Sequence, residues 1–140
     1  ATFRRSKLDR GLRHRGKHQV LWAFYRELLR LRRESPPLRF PDKGRMRVTP
    51  FRDQRALLVE RWDGDDEALI GLNFSDRPAA VRATLRGGTW ERVLDSASPE
   101  WAGAGTTARS ELAARGDAGF TLAPHSAAVF ALRTEPMTNR

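Results

Sequence analysis

The sequence predicts a mainly β chain in which one N-terminal amphipathic helix precedes an antiparallel, Greek-key-like β-sandwich. Three observations predict it. Apolar residues recur at spacings of three and four up to Glu34, the pattern of a helix with an apolar face. Beyond Met46 the period falls to two, with short apolar runs separated by breaks rich in Gly, Asp and Pro, as in strands joined by turns. The 140 residues suffice for one modest core but fall short of the roughly 250 that a catalytic α/β barrel needs.

The helix is expected from His18 to Glu34. Leu21, Phe24, Tyr25, Leu28, Leu29 and Leu31 set its apolar positions, and Gly16 precedes it. Arg30, Arg32 and Arg33 oppose the negative end of its dipole, and Ser35-Pro36-Pro37 stops it. A strand follows at Arg47 to Thr49. Ala56 to Trp62 and Ala68 to Phe74 then read as a hairpin across the polar turn Asp63-Gly64-Asp65-Asp66. Further strands are expected at Ala80 to Leu85, Thr89 to Leu94, Gly119 to Leu122 and Ala127 to Leu132. Asp76-Arg77-Pro78, Gly87-Gly88 and Ala123-Pro124-His125 separate them. Ser96 to Asp117, rich in Ala, Gly, Ser and Thr, reads mostly as a surface loop.

Composition narrows the function. The absence of Cys excludes disulfides, thiolate nucleophiles and Cys-based zinc sites and favours a reducing compartment. No apolar run is long enough to span a membrane and the start has no apolar signal core, so a cytoplasmic chain without membrane partners is expected. The net charge of +9 is concentrated: residues 1–47 carry 15 Lys/Arg against 4 Asp/Glu. That basicity fits either an anionic partner such as nucleic acid, engaged by Arg4, Arg5, Lys7, Arg10, Arg13, Arg15 and Lys17, or an acidic neighbouring domain.

Chemistry is sparse. Asp63, Asp65, Asp66 and Glu67 crowd one hairpin turn rather than facing each other as paired glycosidase carboxylates would. His14, His18 and His125 have no metal-ligand spacing, and neither a GxSxG elbow nor a phosphate loop occurs. No catalytic residue, metal or cofactor is therefore assigned. Trp62 and Trp90 lie in strands and read as core, whereas Trp101, alone among small residues, is the candidate for an exposed sugar-stacking platform. Asn73-Phe74-Ser75 fits the glycosylation pattern but falls in a strand, where it is incidental.

Thr2-Phe3-Arg4-Arg5-Ser6-Lys7-Leu8, the spacer ending Gly16-Lys17-His18, and Phe24-Tyr25-Arg26-Glu27-Leu28-Leu29-Arg30-Leu31-Arg32 together resemble the malto-oligosyltrehalose trehalohydrolases. Those enzymes are a branch of the α-amylase superfamily, glycoside hydrolase family 13. Leu72 to Ser75, Trp90 to Ser96 and Leu122 to Phe130 are similar to the β-sandwich that follows the catalytic barrel there. The resemblance implies that residues 1–37 are a loop and the last barrel helix, that 38–140 are the C-terminal β-domain, and that the catalytic acids lie upstream of Ala1. It also implies that Phe3, Arg5 and Lys7 lie near the substrate cleft.

On this basis the chain is expected to be a stabilising C-terminal domain of a trehalohydrolase. Its partners would be the catalytic barrel and, through the barrel, malto-oligosaccharide or malto-oligosyltrehalose. Without its barrel the helix would expose Leu21, Phe24, Leu28 and Leu31, a face open to self-association. A nucleic-acid-binding module, disfavoured because no known motif appears, and a free-standing carbohydrate-binding module using Trp101 are the alternatives.

Overall fold

The computed structural model describes Lys7, residues 9–40 and residues 42–133. After a 3-10 turn at Arg10–His14, helix α1 spans Gly16–Glu34. It ends where the Ser35 amide donates to the Leu31 carbonyl at 2.9 Å and Pro36 opens the short helix α2, Pro36–Arg39. On its flank the Arg30 guanidinium bridges Glu27 and Glu34, each at 2.5 Å. Hydrogen bonds from Arg30 hold both carboxyls below the usual carboxylate range.

Six strands follow: β1 Met46–Phe51, β2 Ala56–Asp63, β3 Asp66–Asn73, β4 Ala79–Asp95, β5 Glu111–Leu122 and β6 Ser126–Leu132. Every pairing is antiparallel, and the order is β1-β2-β3-β6-β4-β5. The helix-first, mainly antiparallel expectation holds. Its layers are made by one sheet curled over itself, so that Leu58 and Leu69 from one half meet Leu85, Trp90, Leu112 and Phe120 from the other in a single core. β2 and β3 turn through Gly64, whose φ of 62° suits glycine, as the hairpin reading requires. Edge strand β1 carries Pro50, a residue with no ladder donor to lose there.

Two expectations change. Ala80 to Leu85 and Thr89 to Leu94 are parts of one strand of 17 residues, β4. Gly87-Gly88 is not a turn but a shift in register against β5, with Gly88 at φ 143°. Glycine admits that conformation while the strand runs on. The expected loop to Asp117 also ends early: β5 begins at Glu111, and its inward positions Leu112, Ala114, Ala118, Phe120 and Leu122 are buried. Burial on one face outweighs the low strand preference of Ala and Gly.

The same alternation builds a second core. In β3 and β6, Leu69 and Phe130 point into the curl, while Ile70 and Val129 join Phe24, Leu28 and Leu31 of α1 and Leu38 of α2 on the other face. Both faces of these strands are covered, which explains their unbroken apolar runs. Trp101 completes this second core, edge-on to Phe24 with ring centroids 5.3 Å apart. Its turn needs Gly103, because a Cβ there would sit 2.2 Å from the Ala97 carbonyl oxygen. Gly103→Ala is expected to cost about 1–3 kcal/mol by forcing that backbone apart. A thermal melt together with a red shift of Trp101 emission would register it, and an unchanged melt would contradict the close approach.

Candidate functional site

Helix α1 is apolar on two sides, and only one is covered. Phe24, Leu28 and Leu31 pack on the β-domain, whereas Leu21, Trp22, Tyr25 and Leu29 are 52%, 42%, 58% and 63% exposed. Leu21, Tyr25 and Leu29 are four residues apart and so line one stripe along the helix. The expected exposed face of Leu21, Phe24, Leu28 and Leu31 is thus divided: of the four, only Leu21 is left outward, joined by Trp22, Tyr25 and Leu29. The β-domain takes the other three because Ile70, Leu94 and Val129 offer them an apolar seat.

The rim of this stripe is basic. The Arg26 guanidinium lies over the Trp22 ring, 4.7 Å from its centroid, and Arg32 and Arg33 follow in the last turn. At the other end, Lys17, His18, Leu21 and Phe24 border a depression of about 440 Å3 whose far wall is Ser96 and Trp101. No carboxylate lines it. A surface with this composition can dock an apolar, acid-bearing partner.

Of the residues singled out from the sequence, Phe3 and Arg5 lie outside the described residues. Lys7 is exposed. Trp101 is not the free platform its polar neighbours suggested: it is half-buried against Phe24, and its indole nitrogen is buried without a hydrogen-bond partner. The partner that buries it comes from α1, remote in sequence. Three of the four acids of the β2–β3 turn are engaged with arginines, Asp63 with Arg45, and Asp65 and Glu67 with Arg86 at 3.0 and 3.5 Å. Asp65, hydrogen-bonded to Arg86, raises the pKa of that guanidinium. Among the described residues no group of three His, Cys, Asp or Glu is placed to hold a metal, and no helix is long and apolar enough to cross a membrane.

Two buried polar side chains escaped the sequence reading as structural devices. Asp95 accepts the Ala97 amide at 2.9 Å and binds the Thr106 hydroxyl and Arg92, tying down the segment between β4 and β5. Asn73 accepts the Ser75 amide at 2.9 Å and donates to the carbonyls of Arg77 at 2.7 Å and Ala123 at 2.9 Å. Asn73-Phe74-Ser75 is therefore an Asx turn anchored by the buried Asn73, with the Phe74 ring left exposed. The signal was present in both cases, an Asx residue two positions before an acceptable turn residue.

No protein-family model and no curated protein sequence matches the chain. Solved structures do. An Anoxybacillus α-amylase superposes with a TM-score of 0.61 over 83% of this chain at 18% identity. The enzyme AmyP, solved with maltotriose, gives 0.64 over 87% at 15%, and the trehalulose synthase MutB from Pseudomonas mesoacidophila gives 0.55 over 81% at 22%. The fold is that of the C-terminal domains of α-amylase-family enzymes. The chain spans about a fifth of the length of these proteins, 23%, 22% and 18% respectively. The β-strands and their turns, Met46 to Leu132, are under two thirds of the chain, so matches over 81–87% of it take in helical residues as well.

Proposed function

We propose that the chain is the C-terminal module of a malto-oligosyltrehalose trehalohydrolase and that its role is structural, the outer stripe of α1 docking on the catalytic barrel. The observation that carries this reading is the double-sided helix: one apolar face seated on the β-domain, the other exposed at Leu21, Trp22, Tyr25 and Leu29. An α-helix apolar on both sides belongs between two bodies, and leaving such a stripe in water is unfavourable. The choice of trehalohydrolase rests on the Thr2 to Leu8 segment and the Phe24 to Arg32 run. Residues 1–37 then belong with the barrel and 38–140 form the β-domain, in a cytoplasmic enzyme. Hydrolysis by a carboxylate nucleophile and a Glu acid falls to the barrel, which releases trehalose from malto-oligosyltrehalose.

The test places Leu21→Asp and Tyr25→Asp together in the 140-residue chain and in the full-length enzyme of its gene. In the chain, Tm is expected to change by less than about 3 °C, since exposed positions contribute little. In the full-length enzyme the same pair is expected to lower both Tm and trehalose release. Equal behaviour of the two proteins, or trehalose release by the wild-type 140-residue chain alone, would overturn the reading.

A further inference from the structure

The strand order leaves two edges, β1 and β5, and they are not alike. β1 carries Pro50, which has no amide to offer a neighbour, and its one charged residue is Arg47. β5 has no proline. Its outward row is Glu111, Ala113, Arg115 and Asp117, all exposed, while Leu112, Ala114 and Ala118 point into the core. The Ser110 carbonyl accepts the Arg92 amide of β4, and the Thr107 hydroxyl donates to the Thr121 carbonyl at the far end. Between those two points no hydrogen bond among the described residues occupies the outer side of the strand.

We infer that β5 is an interface between two copies of this chain, its edge pairing antiparallel with the same edge of the second copy about a dyad at Ala113. Two six-stranded sheets would then run on as one. The spacing of charge carries the inference. Across a two-fold axis, residue i of one copy faces residue j of the other and j faces i. With Ala113 opposite its own counterpart, Glu111 faces Arg115 and Arg109 faces Asp117, and the symmetry makes each pair twice. All four side chains are exposed, and opposite charges placed across a ladder attract. The strand is thus complementary to itself.

Neighbouring registers fail. A slip of one residue sets the core-facing side chains of one copy against the outward side chains of the other. A slip of two residues one way puts Arg109 opposite Arg115, and the other way Glu111 opposite Asp117, like charges in both cases. Gly116, at φ 110°, bends the strand beyond Arg115, so Glu111 and Arg115 fix the register and Arg109 and Asp117 flank it. The acids are open to such partners. Glu111 reaches Arg133 only at 4.0 Å, and Arg133 is held more closely by Glu91 at 3.0 Å. One oxygen of Asp117 accepts the Thr84 hydroxyl at 2.8 Å, leaving the other. Unpaired arginines occur elsewhere on the domain; what sets β5 apart is their alternation with acids on one face of an edge strand.

Such an interface is narrow, well below the area of a permanent dimer, and its ion pairs are exposed. A reversible dimer that salt weakens follows. No residue of β5 belongs to the core that receives α1, so the pairing leaves the outer stripe of that helix uncovered and does not rest on the proposed function.

Sedimentation equilibrium of the 140-residue chain carrying Leu21→Asp and Tyr25→Asp tests the inference, because those changes remove the stripe of α1 as a second route to association. A monomer–dimer equilibrium is expected, shifting toward monomer as NaCl is added. In that background Glu111→Arg alone and Arg115→Glu alone each set like charges opposite one another and are expected to weaken dimerisation about ten-fold, with the melt unchanged at these exposed positions. Mixed in equal amounts, the two variants should dimerise with each other, since every Arg at 111 or 115 then meets a Glu. A chain that stays monomeric at about 1 mM, a dimer indifferent to both reversals, or a mixture that associates no better than either variant alone would overturn the inference.

Discussion

Phe130→Ala is expected to cost about 3–5 kcal/mol, the upper end for truncating a core aromatic. Phe130 is fully buried at the centre of β6, with β3 on one side and β4 on the other, and its ring lies 5.0 Å from that of Phe120. The cavity left behind would be walled by strands hydrogen-bonded on both flanks, which cannot collapse into it. Domains of this kind hold roughly 5–15 kcal/mol in all, so a large part of the total would be lost. Urea unfolding followed by far-UV circular dichroism measures it: the midpoint should fall steeply while the slope stays constant. Leu29→Ala, at an exposed position of α1, should remain within about 0.5 kcal/mol of the parent, and a comparable loss at both sites would mean that the core is wrongly located.

Asn73→Leu is expected to cost about 3 kcal/mol and to lower Tm by roughly 10 °C, although leucine is similar in volume and more apolar. Asn73 is 3% exposed, and its amide serves the Arg77 and Ala123 carbonyls while its oxygen takes the Ser75 amide. Leucine would leave those backbone groups without their partner at the junction of the β3–β4 and β5–β6 connections, and a buried unpaired group costs more than an ordinary hydrogen bond returns. Differential scanning calorimetry would record the drop. A neutral or stabilising result would show that water replaces the amide, and would remove Asn73 from the framework.

The helix and its stop were legible because both signals are local: the three-and-four spacing through Leu31 and the Ser35-Pro36 break. The division of its faces was not, since Leu21 and Leu29 are as apolar as Leu28 and Leu31, and only the positions of Ile70, Leu94 and Val129 decide which of them are covered. The hairpin at Gly64 could be read from its turn chemistry. The Gly87-Gly88 break could not be told from a turn, because glycine serves a bulge equally well. Trp101 misled for a related reason: its neighbours in sequence are small and polar, while the residue that buries it, Phe24, is remote in the chain.

The place of β6 has a consequence for how the molecule is made. The sixth of the described strands in chain order is not an edge but the interior member that joins β3 to β4. Until Ser126 to Leu132 emerge, the β1–β3 meander and the β4–β5 hairpin are two separate pieces, each with one uncovered apolar face. β6 is therefore the strand that locks the two pieces together. A chain cut before Ser126 would be left not as a trimmed domain but as two unjoined halves.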